Sequence, residues 1–170
     1  MRFAKIIASS SVLLGLMFPI STIAGESDVK AFQAIYDEWH VVLGQRDHDK
    51  MLAFLAPNFV SIDLSDKTET AGKMLTDIES VPKTAEPRPR MTTVLSAFGD
   101  GKVEQVEQSY HHIKVVTDGA GVQTRLEFNT RSHDTWEFIG GKWLLKSTRT
   151  DEVETKMDGV EILHQKRPAT

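Results

Sequence analysis

Apolar residues recur at three- and four-residue spacing in the first part of the chain and at two-residue spacing in the second. Val29, Phe32, Ile35, Tyr36, Trp39, Val42 and Leu43 fall on one stripe of a helix. Ser27 or Asp28 can cap its start, and Gly44 ends it. Met51, Leu52 and Leu55 predict a second helix from Asp47, which can cap it, to Leu55, with Pro57 as its stop. A short strand from Phe59 to Leu64 follows, then a third helix over roughly Thr70 to Ile78 that turns Met74, Leu75 and Ile78 inward. The stretch from Val81 to Arg90 holds Pro82, Pro87 and Pro89 and reads as a loop too short to divide domains.

The later part is written as hairpins. Asp100-Gly101, Asp118-Gly119-Ala120-Gly121, Gly140-Gly141 and Asp158-Gly159 are turn signals between long alternating runs. From Leu126 to Phe138 the even-numbered residues form one side, and Asp134 lies on that side beside Trp136 and the Thr130/Ser132 pair. A lone carboxylate among apolar neighbours is costly unless something answers it, so a polar pocket is expected there. A two-residue turn at Gly140-Gly141 sets Phe138 against Trp143, Trp136 against Leu145, Asp134 against Ser147 and Ser132 against Arg149. Centring the preceding turn on Gly119-Ala120 turns His111 inward beside Phe128 and leaves Val106, Tyr110 and His112 outside. A slip of one residue would exchange His111 for His112.

Composition changes the picture in two places. Arg2 and Lys5 precede the apolar stretch Ile6 to Ile23, and small residues at Thr22 and Ala24 complete a secretory leader, with cleavage expected after Ala24. Residues 25–170 are then a single domain in the periplasm or outside the cell. Loss of the two leader charges takes the formal net charge from -4 to -6, which disfavours nucleic acid as a partner. The chain has no cysteine, hence neither a disulfide nor a lipidated-cysteine membrane anchor. His111 and His112 project to opposite faces, no ligand spacing for a metal is present, and no phosphate loop or cofactor motif occurs.

Helices first and then a long antiparallel meander with one buried face argue an α+β domain. The segment from Val29 to Leu64, the long strands, and Trp143 after a glycine turn resemble the nuclear transport factor 2-like superfamily, in the style of its small secreted SnoaL-like members. The resemblance covers nearly all of residues 25–170 and implies a cone-shaped α+β barrel, three N-terminal helices packed on a strongly curved antiparallel sheet. It also implies pairing of two copies through the outer sheet face. The ketosteroid isomerases of that superfamily carry a tyrosine on the first helix, an aspartate base after the first strand and an acid on a late strand. By position and neighbours these fall at Tyr36, Asp63 and Asp134, although Leu64 stands where the isomerases have proline.

Such a trio permits proton abstraction beside a carbonyl, with hydrogen-bond donors for the oxyanion that develops. Each member has a second reading. Tyr36 also fits a core stripe with Phe32 and Trp39, and Asp63, followed by Ser65 and Asp66, also fits a turn. Asp134 also fits an ion pair with Arg149. His111 is a candidate proton carrier by analogy with the scytalone dehydratase branch. The expected function is a pocket for a compact oxygenated apolar molecule, isomerised or dehydrated without a cofactor. Tyr36, Asp63, Asp134 and His111 are its candidate catalytic residues, and Trp39, Ser132, Trp136, Trp143, Leu145, Ser147 and Arg149 its lining. The alternative is a non-catalytic dimeric accessory module, motivated by Val106, Tyr110 and His112 on the outer face.

Overall fold

The computed structural model describes residues 26–80 and 90–168. The proposed leader and most of the proline-bearing loop lie outside the described residues. Helix α1 (Glu26–Gln45) buries Phe32, Tyr36, Val42 and Leu43 along the stripe expected of it. It runs through Gly44, and its last turn closes at Arg46, which takes the left-handed conformation with φ 55° and gives its N–H to the Val42 carbonyl at 3.0 Å. Asp47 then caps α2 (His48–Leu52), accepting the Lys50 N–H at 3.1 Å.

This second helix is shorter than its apolar spacing suggests. Leu55 is the first residue of β1 (Leu55–Ile62), and Pro57 sits inside that strand rather than terminating a helix. The strand tolerates a proline because its pairing with β6 (Lys142–Met157) is interrupted between Leu55 and Val60, so no ladder bond needs the missing N–H. A three-residue strand that the sequence did not reveal, β2 (Thr68–Thr70), pairs with the end of β1. It is followed by α3 (Ala71–Ser80), which packs Leu75 fully into the core with Met74 and Ile78 beside it.

The meander follows as β3 (Arg90–Gly99), β4 (Val103–Thr117), β5 (Gln123–Ile139), β6 and β7 (Val160–Lys166). Strands are ordered β2-β1-β6-β5-β4-β3, with β7 also on β6. The architecture is the α+β cone expected, with helices against one face of a curved sheet that does not close on itself. The sheet is mixed rather than wholly antiparallel, because β1 runs parallel to β6. Among the described residues no helix is long and apolar enough to cross a membrane.

Two details of register decide which side chains reach the interior. At the β5–β6 turn, Gly140 and Gly141 both have positive φ, 60° and 86°, as a tight two-residue turn requires, and Phe138 opposes Trp143 and Trp136 opposes Leu145 as expected. A bulge at Lys146 then moves the pairs from Thr135 to Ser132 by one residue, so Asp134 opposes Thr148, and Arg149 opposes His133 on the outer face; a second irregularity before Arg131 adds one more. At the β4–β5 turn, the Asp118 carboxylate accepts the N–H groups of Ala120 and Val122 and holds a five-residue loop. That loop is longer than the turn assumed, and it opposes His112 to Phe128 and Tyr110 to Thr130. Val106, Tyr110 and His112 therefore face inward, and His111 faces outward. The outer-face motive for pairing is lost with them.

Candidate functional site

Between α1 and the curved sheet lies a cavity of about 310 Å3. Tyr36, Trp39, His40 and Leu43 enter it from successive turns of α1, and Met74 and Ile78 reach it from α3. The sheet contributes Gln108 and Tyr110 from β4, then Thr130, Ser132, Asp134 and Trp136 from one side of β5. Thr148 of β6 completes the polar end, while Leu145, Phe54, Leu55 and Phe59 add apolar wall. The mixture of an apolar body and a few convergent polar groups is what a small-molecule site needs.

Asp134 is the centre of the polar end. It is only 2 % exposed. Tyr36 donates its hydroxyl hydrogen to Asp134 Oδ2 at 2.5 Å, and Thr148 donates to Oδ1 at 2.5 Å. The Tyr36 oxygen in turn accepts the indole N–H of Trp136 at 3.1 Å, with the two rings edge to face. Burial pushes the Asp134 carboxyl from its ordinary 3.8 up to about 6. Hydrogen bonds from Thr148, Tyr36 and Gln108, and the nearby His133, pull the other way without cancelling it. Burial also holds the Tyr36 hydroxyl well above its ordinary value, and the adjacent carboxylate adds to the effect.

A second polar group lies along the wall. His40 Nε2 is 2.6 Å from Thr92 Oγ1, and the imidazole stacks on Tyr110 with ring centres 5.8 Å apart. The Gln33 side chain pins α1 to β3, donating to the Thr92 carbonyl at 2.8 Å and accepting the Val94 N–H at 3.0 Å. The spacing between α1 and β3 is thereby fixed.

The structure brings Tyr36, Asp134, Trp39, Ser132, Trp136 and Leu145 to one cavity and leaves the other sequence candidates outside it. Asp63 is exposed beyond the end of β1, where its carboxylate accepts from the Ser65 N–H, the Ser65 hydroxyl and the Lys67 N–H. The turn reading is the correct one, and these bonds lower its pKa, the reverse of what a base in an apolar pocket shows. His111 lies on the outer face with Nδ1 2.7 Å from Asn129 Oδ1, so it is no proton carrier for this cavity. Arg149 pairs with Asp151 at 3.0 Å and is no partner of Asp134, and Ser147 opposes Thr135. Trp143 packs behind the site against Phe32 and the half-exposed Phe138.

Sequence reasoning missed Gln108, Thr148, His40 and Thr92. Gln108 and Tyr110 share the parity of Val106, and that was the available signal. Nothing in the sequence marked Thr148, because its place depends on the bulge. Among the described residues no group of acidic, histidine or cysteine side chains could hold a metal ion.

No family model and no curated protein sequence matches the chain. Solved structures do. A scytalone dehydratase-like protein from Novosphingobium aromaticivorans superposes with a TM-score of 0.59 at 11 % identity, over 85 % of this chain and 90 % of that one. A ketosteroid isomerase-like protein from Erwinia carotovora gives 0.53 at 12 % identity, over 82 % and 99 %. A conserved protein from Planctomyces limnophilus gives 0.57 at 13 % identity, over 74 % and 95 %. At such identities the likeness is one of fold.

Proposed function

We propose that this chain, whose fold is that of the nuclear transport factor 2-like superfamily, is an exported small-molecule pocket protein that uses Asp134 for cofactor-independent acid–base chemistry. The ligand class is a compact oxygenated apolar compound, and the reaction class is isomerisation or dehydration. One observation carries the reading: a buried Tyr36–Asp134 hydrogen bond forms the wall of a 310 Å3 cavity, at a carboxyl whose pKa is raised to about 6.

With Asp63 in a surface turn, Asp134 serves as both base and acid. Above about pH 6 the Asp134 carboxylate accepts a proton from a ligand carbon acidified by a neighbouring carbonyl, while Tyr36 and Thr148 keep its two oxygens oriented. A conjugate acid with a pKa near 6 is strong enough to return that proton at neutral pH. Return to a different carbon of the ligand is isomerisation. Return to a neighbouring hydroxyl, which then leaves as water while a carbon–carbon double bond forms, is dehydration.

Export rests on Arg2, Lys5 and the apolar stretch before Ala24. The fold likenesses to an isomerase-like and a dehydratase-like protein support the reaction class by analogy only. The test begins with native mass spectrometry of the protein taken from its own host, where a retained compound gives the ligand. For that compound, Asp134→Asn and Tyr36→Phe should each lower affinity or turnover by about tenfold or more. Full affinity and full turnover in both variants would remove the assignment.

A further inference from the structure

Three hydrogen-bond donors at the polar end of the cavity are engaged within the protein, while the Ser132 and Thr130 hydroxyls line the same wall. Tyr36 gives its one hydrogen to Asp134, Trp136 gives its N–H to Tyr36, and Thr148 gives its hydroxyl to the other carboxylate oxygen. Farther along the wall, His40 and Thr92 bond each other. One acceptor of this wall is unmet. Gln108 lines the same cavity and is 8 % exposed, and its Oε1 is buried without a hydrogen-bond partner.

Turning the Gln108 amide over does not cure this. Its nitrogen end favours the ionised form of Asp134, and above about pH 6 a flipped amide would aim Oε1 at a carboxylate oxygen that can only accept. Buried acceptors in folded proteins find a donor from protein, water or ligand, and Gln108 Oε1 on this wall can take an O–H or N–H offered from the cavity. Charge narrows the choice further. The lining holds one carboxylate, the imidazole of His40 and neither lysine nor arginine, so an anionic ligand would meet a like charge with no permanently charged counter-ion.

We infer that Gln108 is the specificity-determining residue of the pocket: its Oε1 accepts the hydroxyl hydrogen of a neutral alcohol, enol or phenol and discriminates against a ketone or carboxylate of the same skeleton. This rests on the pocket reading above and gives the ligand's polarity, which that reading leaves open. A site that must hydrogen-bond a ligand hydroxyl rejects the analogue lacking it, because the buried group is then left unmet.

The test uses 1-indanol, 1-indanone and indane-1-carboxylate, which share one bicyclic skeleton and differ in the oxygen substituent. Binding to the whole chain is followed near pH 8 by protein-observed nuclear magnetic resonance at millimolar probe. The alcohol is expected to bind about tenfold more tightly than the ketone, and the carboxylate more weakly than either. In Gln108→Met, which keeps the length of the side chain and removes the amide, the alcohol should lose that advantage while the ketone binds as before. A ketone that matches or exceeds the alcohol on the unaltered chain overturns the inference whether or not the variant folds. An alcohol preference that survives intact in Gln108→Met overturns the role of Gln108. Equal binding of all three compounds removes the polarity rule and leaves the pocket standing. Binding of none, with no shift at Trp136 or Asp134, removes the pocket reading and this inference together.

Discussion

His133 and Asp134 are neighbours on β5 and belong to different media. On the outer face, charge is met by charge: His133 Nδ1 bonds Asp151, Arg149 lies 3.0 Å from the same carboxylate, and Arg131 reaches Glu107 at 2.6 Å. The basic members of these pairs are 40–47 % exposed, so water shares the work of solvating them. On the inner face Asp134 is 2 % exposed, and Tyr36 and Thr148, the partners that grip its two oxygens, are neutral hydroxyls. Neutral donors do not replace the lost hydration, and the pKa rises to about 6. A polar network therefore stabilises cheaply where it is wet and tunes acidity where it is dry.

The largest break in the comparison comes from the apolar support of the inner face. Trp136 is 2 % exposed, touches Phe32 and Tyr36 ring to ring, and holds the Tyr36 hydroxyl. Trp136→Ala is expected to cost about 3–5 kcal/mol, measured as the drop in unfolding free energy in urea. A loss under about 1 kcal/mol would mean that the aromatic cluster is not packed as described.

Next in size is the charge itself. The folded pKa of Asp134 lies above its unfolded value, so the native state binds the proton more tightly than the unfolded chain. Stability from this group is full below about pH 4 and is lost as pH rises through about 6. The shift from 3.8 to about 6 amounts to roughly 3 kcal/mol. Between about pH 3.5 and pH 8, Asp134→Asn should therefore gain about 2–3 kcal/mol on the unaltered protein. The difference between the two chains is the quantity to measure, because Asp47, Asp63, Asp100, Glu152 and Glu154 all have lowered pKa values and work in the opposite direction in both. Parallel stability profiles would show that Asp134 carries no raised pKa.

Tyr36→Phe should cost about 1–3 kcal/mol, since it leaves the Trp136 N–H without an acceptor and takes a donor from Asp134. It should also move the Asp134 titration, followed by the carboxyl carbon-13 signal, further upward. A downward movement would mean that the hydroxyl does not favour the ionised carboxylate.

How much of this was legible in the sequence depended on whether a position was set by pattern or by an irregularity. Alternation along β5 put Asp134 and Trp136 on the inner side, and the Gly140-Gly141 turn set Trp136 against Leu145. The helical stripe brought Tyr36 and Trp39 to the same place. β4 was harder, because both of its sides are largely polar and a half-step in the turn after Asp118 exchanged His111 for His112. The bulge at Lys146 has no signature in residue type, yet it replaced Ser147 with Thr148 beside the carboxylate. Asp63 was ambiguous for a different reason: Ser65 and Asp66 after it wrote a turn as clearly as the isomerase resemblance wrote a base.

The smallest expected effect sharpens the comparison most directly, because it tests that bulge. Without it, Arg149 would stand beside Asp134 on the inner face, and its guanidinium would be the counter-ion that keeps the carboxyl low. With it, Arg149 lies outside, 47 % exposed, and shares Asp151 with His133 and Arg167. Arg149→Ala is accordingly expected to cost no more than about 0.5–1 kcal/mol, as for other exposed ion pairs. The carboxyl carbon-13 titration of Asp134 should keep its midpoint in the variant, since the side chain removed is on the far side of the sheet. A rise in that midpoint would place the guanidinium inside, restore the register without a bulge, and return Ser147 rather than Thr148 to the hydrogen bond with Asp134.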